Sequence, residues 1–216
     1  MSRLPASASI ATPLDGARLF APSAERNAPA ITALLCEIGP ARGRALEIAS
    51  GTGQHILALA TALPGVEWHP TEIAPERRAS IDAYAAEAGL PNLRPAQYLN
   101  ATALGWAAAH APFNLIYIGN LLHLIPQAAA LILLTEAAKA LTHDGVFVVY
   151  GPFLRAGELT SEGDAQFDAE LRAADPAIGY KDDDWVNEVL TSAGLDPEVR
   201  QMPANNLAFI ARRIPQ

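Results

Sequence analysis

The stretch Ala45 to His55 reads ALEIASGTGQH, an apolar strand that runs into Ser50, Gly51, Thr52 and Gly53 and then into a helix. Four residues with so little side chain at a strand end leave the backbone open to close approach by a ligand. Glu47 lies at the end of that strand and Glu72 at the end of the next. A carboxylate at the second position can accept from both hydroxyls of a ribose diol at once. Farther on, Gly119-Asn120-Leu121-Leu122-His123 follows another apolar run. His123 is the candidate general base, because an imidazole titrates near neutrality; the alternative is packing or capping at the following helix. Asn120 either holds a ligand by its amide or simply ends the strand.

Three ligand classes suit a loop of this kind. A phosphate-binding P-loop needs a Lys after its last glycine, and none follows Gly53. A dinucleotide loop needs a third glycine where this chain has Ile56, whose bulk hinders close helix–strand packing. S-adenosylmethionine fits better. It carries no phosphate, so the loop must offer backbone contact more than an anion hole, and Glu47 is suited to its positively charged end. Ala49 stands where many such loops carry a glycine.

The elements that would position these residues alternate. RALEIA, VEWHP, LRPAQYL, FNLIYIG and GVFVVYG read as strands, separated by the helical runs GQHILALATAL, PERRASIDAYAAEAG, TALGWAAAH and PQAAALILLTEAAKAL. An earlier helix is expected over PAITALLCEIG, closing at Gly39. Alternation at this spacing predicts an α/β fold with a parallel sheet covered on both faces. A small helical insertion, about residues 151–181, follows the fifth strand, with Ser161 and Asp164 suited to cap its helix. PEVRQMP and NLAFIARR then face each other as an antiparallel hairpin. Residues 1–22 are expected to be a flexible arm before a single domain, 23–216.

Several of these blocks, AERN, LEIASGTGQH, GNLLHLIP, YGPF, TSEGDAQFD and MPANN, occur in one order across nearly the whole chain. In them the chain resembles a class I methyltransferase-like family catalogued as a domain of unknown function. The resemblance implies a Rossmann-like, seven-stranded sheet and a methyl donor. Members usually show an Asp after strand three that accepts from the adenine amino group; this chain has Asn100 there, which can accept through its amide oxygen.

Around the expected transfer point, Tyr150 and Phe153 flank Gly151-Pro152 and either wall an acceptor pocket or finish a buried strand. Arg155 is a candidate for reading an acidic acceptor, and Asn206, in the hairpin link with Asn205, for a hydrogen bond to it. Arg26 and Asn27, just before the first helix, either fold over the cofactor or cap that helix. His55 either touches the methionine carboxylate or packs.

The net charge of −8 argues against a broad nucleic-acid face. Cys36 is the single cysteine, which excludes an internal disulfide and points to a reducing cytosol. No membrane span is expected, and the five scattered histidines show no i, i+4 metal pair. The expected partner is a small molecule. The leading reading is methyl transfer to an O, N or S acceptor. The alternatives are a cofactor-holding regulatory protein, a nucleic-acid or protein methyltransferase, and an NAD-dependent oxidoreductase. Asn/Asp-Pro-Pro-aromatic, the mark of adenine- and glutamine-modifying types, is replaced here by GNLLH.

Overall fold

The computed structural model describes residues 4–110 and 112–214. A two-residue hairpin, β1 (Thr12–Pro13) and β2 (Leu19–Phe20), precedes α1 (Pro22–Ile38). There follow β3 (Gly43–Ile48), α2 (Gln54–Ala62), β4 (Val66–Pro70), α3 (Pro75–Ala88), the single turn α4 (Trp106–Ala109), β5 (Phe113–Gly119) and α5 (Gln127–Lys139). The long β6 (Leu141–Leu154), α6 (Glu162–Ala174), β7 (Lys181–Asp182), α7 (Asp183–Ser192), β8 (Leu195–Gln201) and β9 (Asn206–Arg213) complete the chain.

The apolar runs make a seven-stranded sheet in the order β4-β3-β5-β6-β9-β8, with β7 beside β6. β4, β3, β5 and β6 are mutually parallel, and β9 pairs antiparallel with both β6 and β8. Strand alternation divides the core in two. Ala45, Leu115, Tyr117, Val148 and Tyr150 face α1 and α2, packing with Leu35, Ile56 and Leu59. Leu46, Ile48, Ile116, Phe147 and Phe209 face α5 and α7, packing with Leu133, Ala137, Val186 and Leu190. Both sheet faces are therefore dry, and the strand ends are where ligands can reach the chain. This is the α/β architecture expected, including its terminal hairpin.

Three local expectations change. LRPAQYL forms no strand; it touches the sheet edge through two isolated parallel bridges, Trp68 with Leu93 and Thr71 with Gln97. Pro95 sits between them and has no N–H to continue a ladder. The first helix starts at Pro22 rather than Pro29, which lies inside it on an exposed position. TALGWAAAH contributes only one helical turn, beginning after Gly105, whose φ is 86°.

The segment expected as a flexible arm has partners on both sides of the strand ends; Met1–Arg3 lie outside the described residues. Arg77 of α3 donates to the Ser9 carbonyl at 3.0 Å, the Leu19 N–H donates to Ser80 Oγ at 2.8 Å, and Tyr84 donates to the Leu19 carbonyl at 3.1 Å. At the other end Ala8 packs with Leu171, Ile178 and Tyr180 of the insertion. Small residues allow this close passage, and the segment's polar backbone is met by side chains of α3.

The far end of α2 is fixed by Asn92, whose Nδ2 donates to the carbonyls of Ala60, Leu63 and Val66 at 2.9, 3.3 and 3.1 Å. Leu63 and Val66 span the turn between α2 and β4. Asn92→Ala leaves these carbonyls without that donor, so a loss of about 1–3 kcal/mol is expected in urea unfolding; an unchanged midpoint would show the contact to be idle.

Candidate functional site

The loop between β3 and α2 is built from left-handed backbone: φ is 55° at Ala49, 60° at Gly51 and 97° at Gly53. Its two glycines serve different ends. A Cβ on Gly53 would stand 3.0 Å from Ile81 Cα, so this glycine lets α2 pack on α3. A Cβ on Gly51 would meet Arg77 Nη1 at 3.8 Å, an ordinary van der Waals contact, so this glycine is required by its φ of 60° rather than by crowding. Ala49 holds its strained conformation while the Ser50 N–H donates to the Thr71 carbonyl at 2.8 Å.

Glu72 ties this loop to its neighbour. Its Oε2 accepts from the Gly51 N–H at 3.1 Å, and its Oε1 accepts from the N–H groups of Ile73 and Ala74 at 2.8 and 3.2 Å. A carboxylate offers about four lone-pair positions, so bidentate acceptance from a diol requires Glu72 to release backbone donors. Glu47 is buried at 1% exposure beneath the same loop, and its Oε2 has no hydrogen-bond partner. Burial pushes its carboxyl up to about 8, with the Ser50 hydroxyl pulling the other way and Glu72 adding to the rise. Glu47 is in register with Tyr117 on β5. The Tyr117 and Tyr150 hydroxyls are likewise buried and unpartnered, on the same face of the sheet. Burial raises Tyr117 well above the ordinary phenol range and Tyr150 to about 12. A Cβ on Gly119 would come within 2.2 Å of the Tyr117 hydroxyl, so Gly119 makes room for that oxygen.

The other expected residues are distributed as follows. Asn27 lies half-buried in the first turns of α1 rather than at its start. His55 Nε2 bonds the Ala24 carbonyl at 3.1 Å, fastening α2 to α1, and burial lowers it to about 4. Asn100 is exposed and its Oδ1 accepts from the N–H and hydroxyl of Thr102 at 3.2 and 2.7 Å, a local turn that occupies the oxygen expected to meet adenine. Asn120 ends β5 at φ 55°, with its N–H on the Tyr150 carbonyl at 2.9 Å. His123 is buried in a 3-10 turn, with its ring edge-on to Phe167 and Tyr180 at 5.7 and 6.0 Å. Burial lowers it to about 3, Lys181 adding and Asp168 opposing, so its imidazole is neutral at pH 7.

Phe153 packs edge-on to Phe209 at 5.0 Å and is 2% exposed, which makes it core rather than the wall of an open pocket. Arg155 donates from Nη2 to the Asn205 carbonyl at 2.9 Å, while its Nε is buried without a partner. Asn206 donates to the Pro203 carbonyl at 2.9 Å and sits beside Tyr150. The structure thus brings Glu47, Ala49, Ser50, Gly51, Gly53 and Glu72 together around one loop. It sets His123 into the insertion and leaves Asn100 at the periphery.

Sequence reasoning passed over three residues. Tyr117 was visible as the one hydroxyl inside LIYI, and Arg77 as a cation one turn into the helix after Glu72. Lys181 carried a weaker signal, being one of only two lysines in the chain. Among the described residues one acidic group, Asp182, Asp183 and Asp184, gathers its carboxylates within 4.8 Å. Asp182 and Asp183 accept there from the N–H groups of Gly157, Ala156 and Asp184, capping α7 and holding the turn after β6. No helix among the described residues is long and apolar enough to cross a membrane.

Solved structures share this fold at low identity. An O-methyltransferase family protein from Burkholderia thailandensis matches with a TM-score of 0.74 at 15% identity, over 88% of this chain and 57% of its own. An O-methyltransferase family 2 protein from Planctomyces limnophilus, solved in complex with apigenin, matches with a TM-score of 0.74 at 16% identity, over 89% and 58%. PigF, solved with SAH, matches with a TM-score of 0.71 at 16% identity, over 88% and 56%. This chain therefore spans little more than half the length of these proteins. A family model described as a protein of unknown function, DUF938, matches residues 18–213, nearly the whole chain. The chain belongs to the DUF938 family.

Proposed function

We propose that the protein binds S-adenosylmethionine on the β3–α2 loop and transfers its methyl group to a small-molecule acceptor. One observation carries the reading: Glu47 keeps an unpartnered carboxyl oxygen buried beside the β3–α2 loop of small residues. An orphaned buried acceptor is costly unless a ligand completes it, and a cationic aminoacyl end supplies the matching charge. The O-methyltransferase names of structures sharing the fold, and the SAH in PigF, support the same choice.

The methyl donor supplies an electrophilic sulfonium carbon when bound. The chain's part is to hold, orient and exclude water. Ser50 to Gly53 present backbone to the aminoacyl end, Glu47 and Asn27 lie on its side, and Glu72 exchanges backbone donors for the ribose hydroxyls. Asn120 and Tyr150 stand at the strand ends where an acceptor would approach. With so low a basicity, His123 serves the acceptor as a neutral hydrogen-bonding group better than as a strong proton acceptor. That weakness is also what supports the second reading, a regulatory protein that holds the donor without transfer. Turnover on any acceptor separates the two. The lone Cys36 and the absence of a spanning helix among the described residues fit work in a reducing cytosol.

Calorimetry with S-adenosylhomocysteine (SAH) tests the reading, with NADH as control. Micromolar SAH binding is expected for wild type, with at least a tenfold loss in Glu72→Gln, which keeps the shape but weakens acceptance. NADH binding in place of SAH would overturn it.

A second expectation follows from Glu47. Its folded pKa, about 8, lies above the ordinary carboxylate value of 4.5, so the folded state holds this proton more tightly than the unfolded chain. Its contribution to stability is therefore largest below about 4.5 and is lost as pH rises toward 8. Glu47→Gln cannot ionise and should unfold at higher urea than wild type at pH 8, with the gap closing by pH 5. SAH binding to wild type should strengthen between pH 6 and 8, by at most about tenfold per pH unit, and stay flat in the variant. A pH-independent gap between the two proteins would contradict the assignment.

A further inference from the structure

We propose that Lys181 is the residue that binds a carboxylate on the acceptor, an inference that rests on the methyl-transfer reading above. The chain has two lysines, and they differ in kind. Lys139 is largely exposed and pairs with Glu136 at 2.7 Å. Lys181 is 5% exposed, and its Nζ makes one hydrogen bond, to the Gly179 carbonyl at 2.7 Å. An ammonium has three donors, and a buried one is ordinarily paired with an anion.

The nearby acids are already engaged. Asp168 accepts from Arg172 Nε at 2.6 Å through one oxygen and from the Tyr180 N–H at 2.6 Å through the other. Asp164 accepts from Thr160, Ser161 and Asn205 through Oδ2 and from the Tyr180 hydroxyl through Oδ1. Of the groups that face Lys181, Asp168 attracts its charge, Arg172 repels it, and His123 is neutral. Burial is the main cause that lowers Lys181, to about 8, so it is still mostly a cation at pH 7 and acts as an anion receptor rather than a base.

Its position suits an acceptor site. Lys181 pairs in register with Phe153 at the carboxyl end of β6. The neighbouring Gly179 N–H donates to the His123 carbonyl at 3.0 Å, which stitches this segment to the loop after β5. The two loops meet where open parallel sheets bind substrates. A carboxylate matches the vacancy in charge and in number, with two oxygens for two unused N–H groups. A dianionic phosphate is disfavoured by Asp164, Asp168 and the net charge of −8.

Having only two lysines makes the test direct. The full chain labelled with 13Cε-lysine gives two resonances, assigned with Lys139→Arg. The probes are acetate, benzoate and inorganic phosphate, followed at pH 7 with and without SAH. The inference expects a saturable shift of the Lys181 signal with acetate or benzoate, a rise of about one unit in its titration midpoint when the site is filled, and no response from Lys139. A Lys181 signal indifferent to both carboxylates overturns it. So does a response shared equally by Lys139, or one strongest for phosphate. Failure of the cofactor reading would appear separately, as no heat of SAH binding in calorimetry while the Lys181 response to carboxylates is unchanged.

Discussion

Everything at the carboxyl edge of the sheet hangs on the carboxylate of Glu72. It gathers the N–H of Gly51 from one crossover and those of Ile73 and Ala74 from the next. These three bonds join the loop after β3 to the start of α3 and fix the distance between the two strand ends. Charge-assisted bonds to backbone donors are among the stronger a protein makes. Arg78 reinforces the turn by donating to the Glu72 and Ile73 carbonyls at 2.9 and 2.8 Å. The loop above is therefore held by a group that a ligand can also use.

Beneath that clamp the sheet is uneven. On the α5 and α7 face the central strands are largely apolar, with Arg44 over the Phe113 ring near the strand starts, while the α1 and α2 face carries Glu47, Tyr117 and Tyr150 with unmet polar atoms. A purely structural core has no use for such groups, since each one costs stability. These groups lie together on one face, near the ends of adjoining strands. The insertion side is different in character: His123, Phe167 and Tyr180 pack ring edge against ring face, and the buried Lys181 donates to the Gly179 carbonyl beside them.

The fold was legible because periodicity and glycine placement carry it. LIYI and VFVV read as strands covered on both sides, and SGTG as a tight turn. The placing of Glu47, Gly51 and Glu72 around one loop was legible for the same reason, since they are tied to strand ends by local sequence. The surroundings of His123 were not. The segment that carries Lys181 meets the loop of His123 through the Gly179 N–H and the His123 carbonyl, a link between residues far apart in sequence that no local pattern encodes. Phe153 stayed open between pocket wall and buried residue because its ring contact with Phe209 comes from β9, far along the chain. The strand expected at LRPAQYL failed through Pro95, a signal that was present in the run and outweighed there by its apolar content. The ties of the segment before α1 come from Arg77, Ser80 and Tyr84 of α3 and are not written in its own composition.

The most direct measurement is the backbone 15N–1H spectrum of the protein during titration with SAH, read at the amides of Gly51, Ile73 and Ala74. If Glu72 trades backbone donors for ribose hydroxyls, these three amides move together and saturate with the same binding constant. Binding of SAH that leaves all three in place would contradict that exchange, and no binding at all would contradict the site.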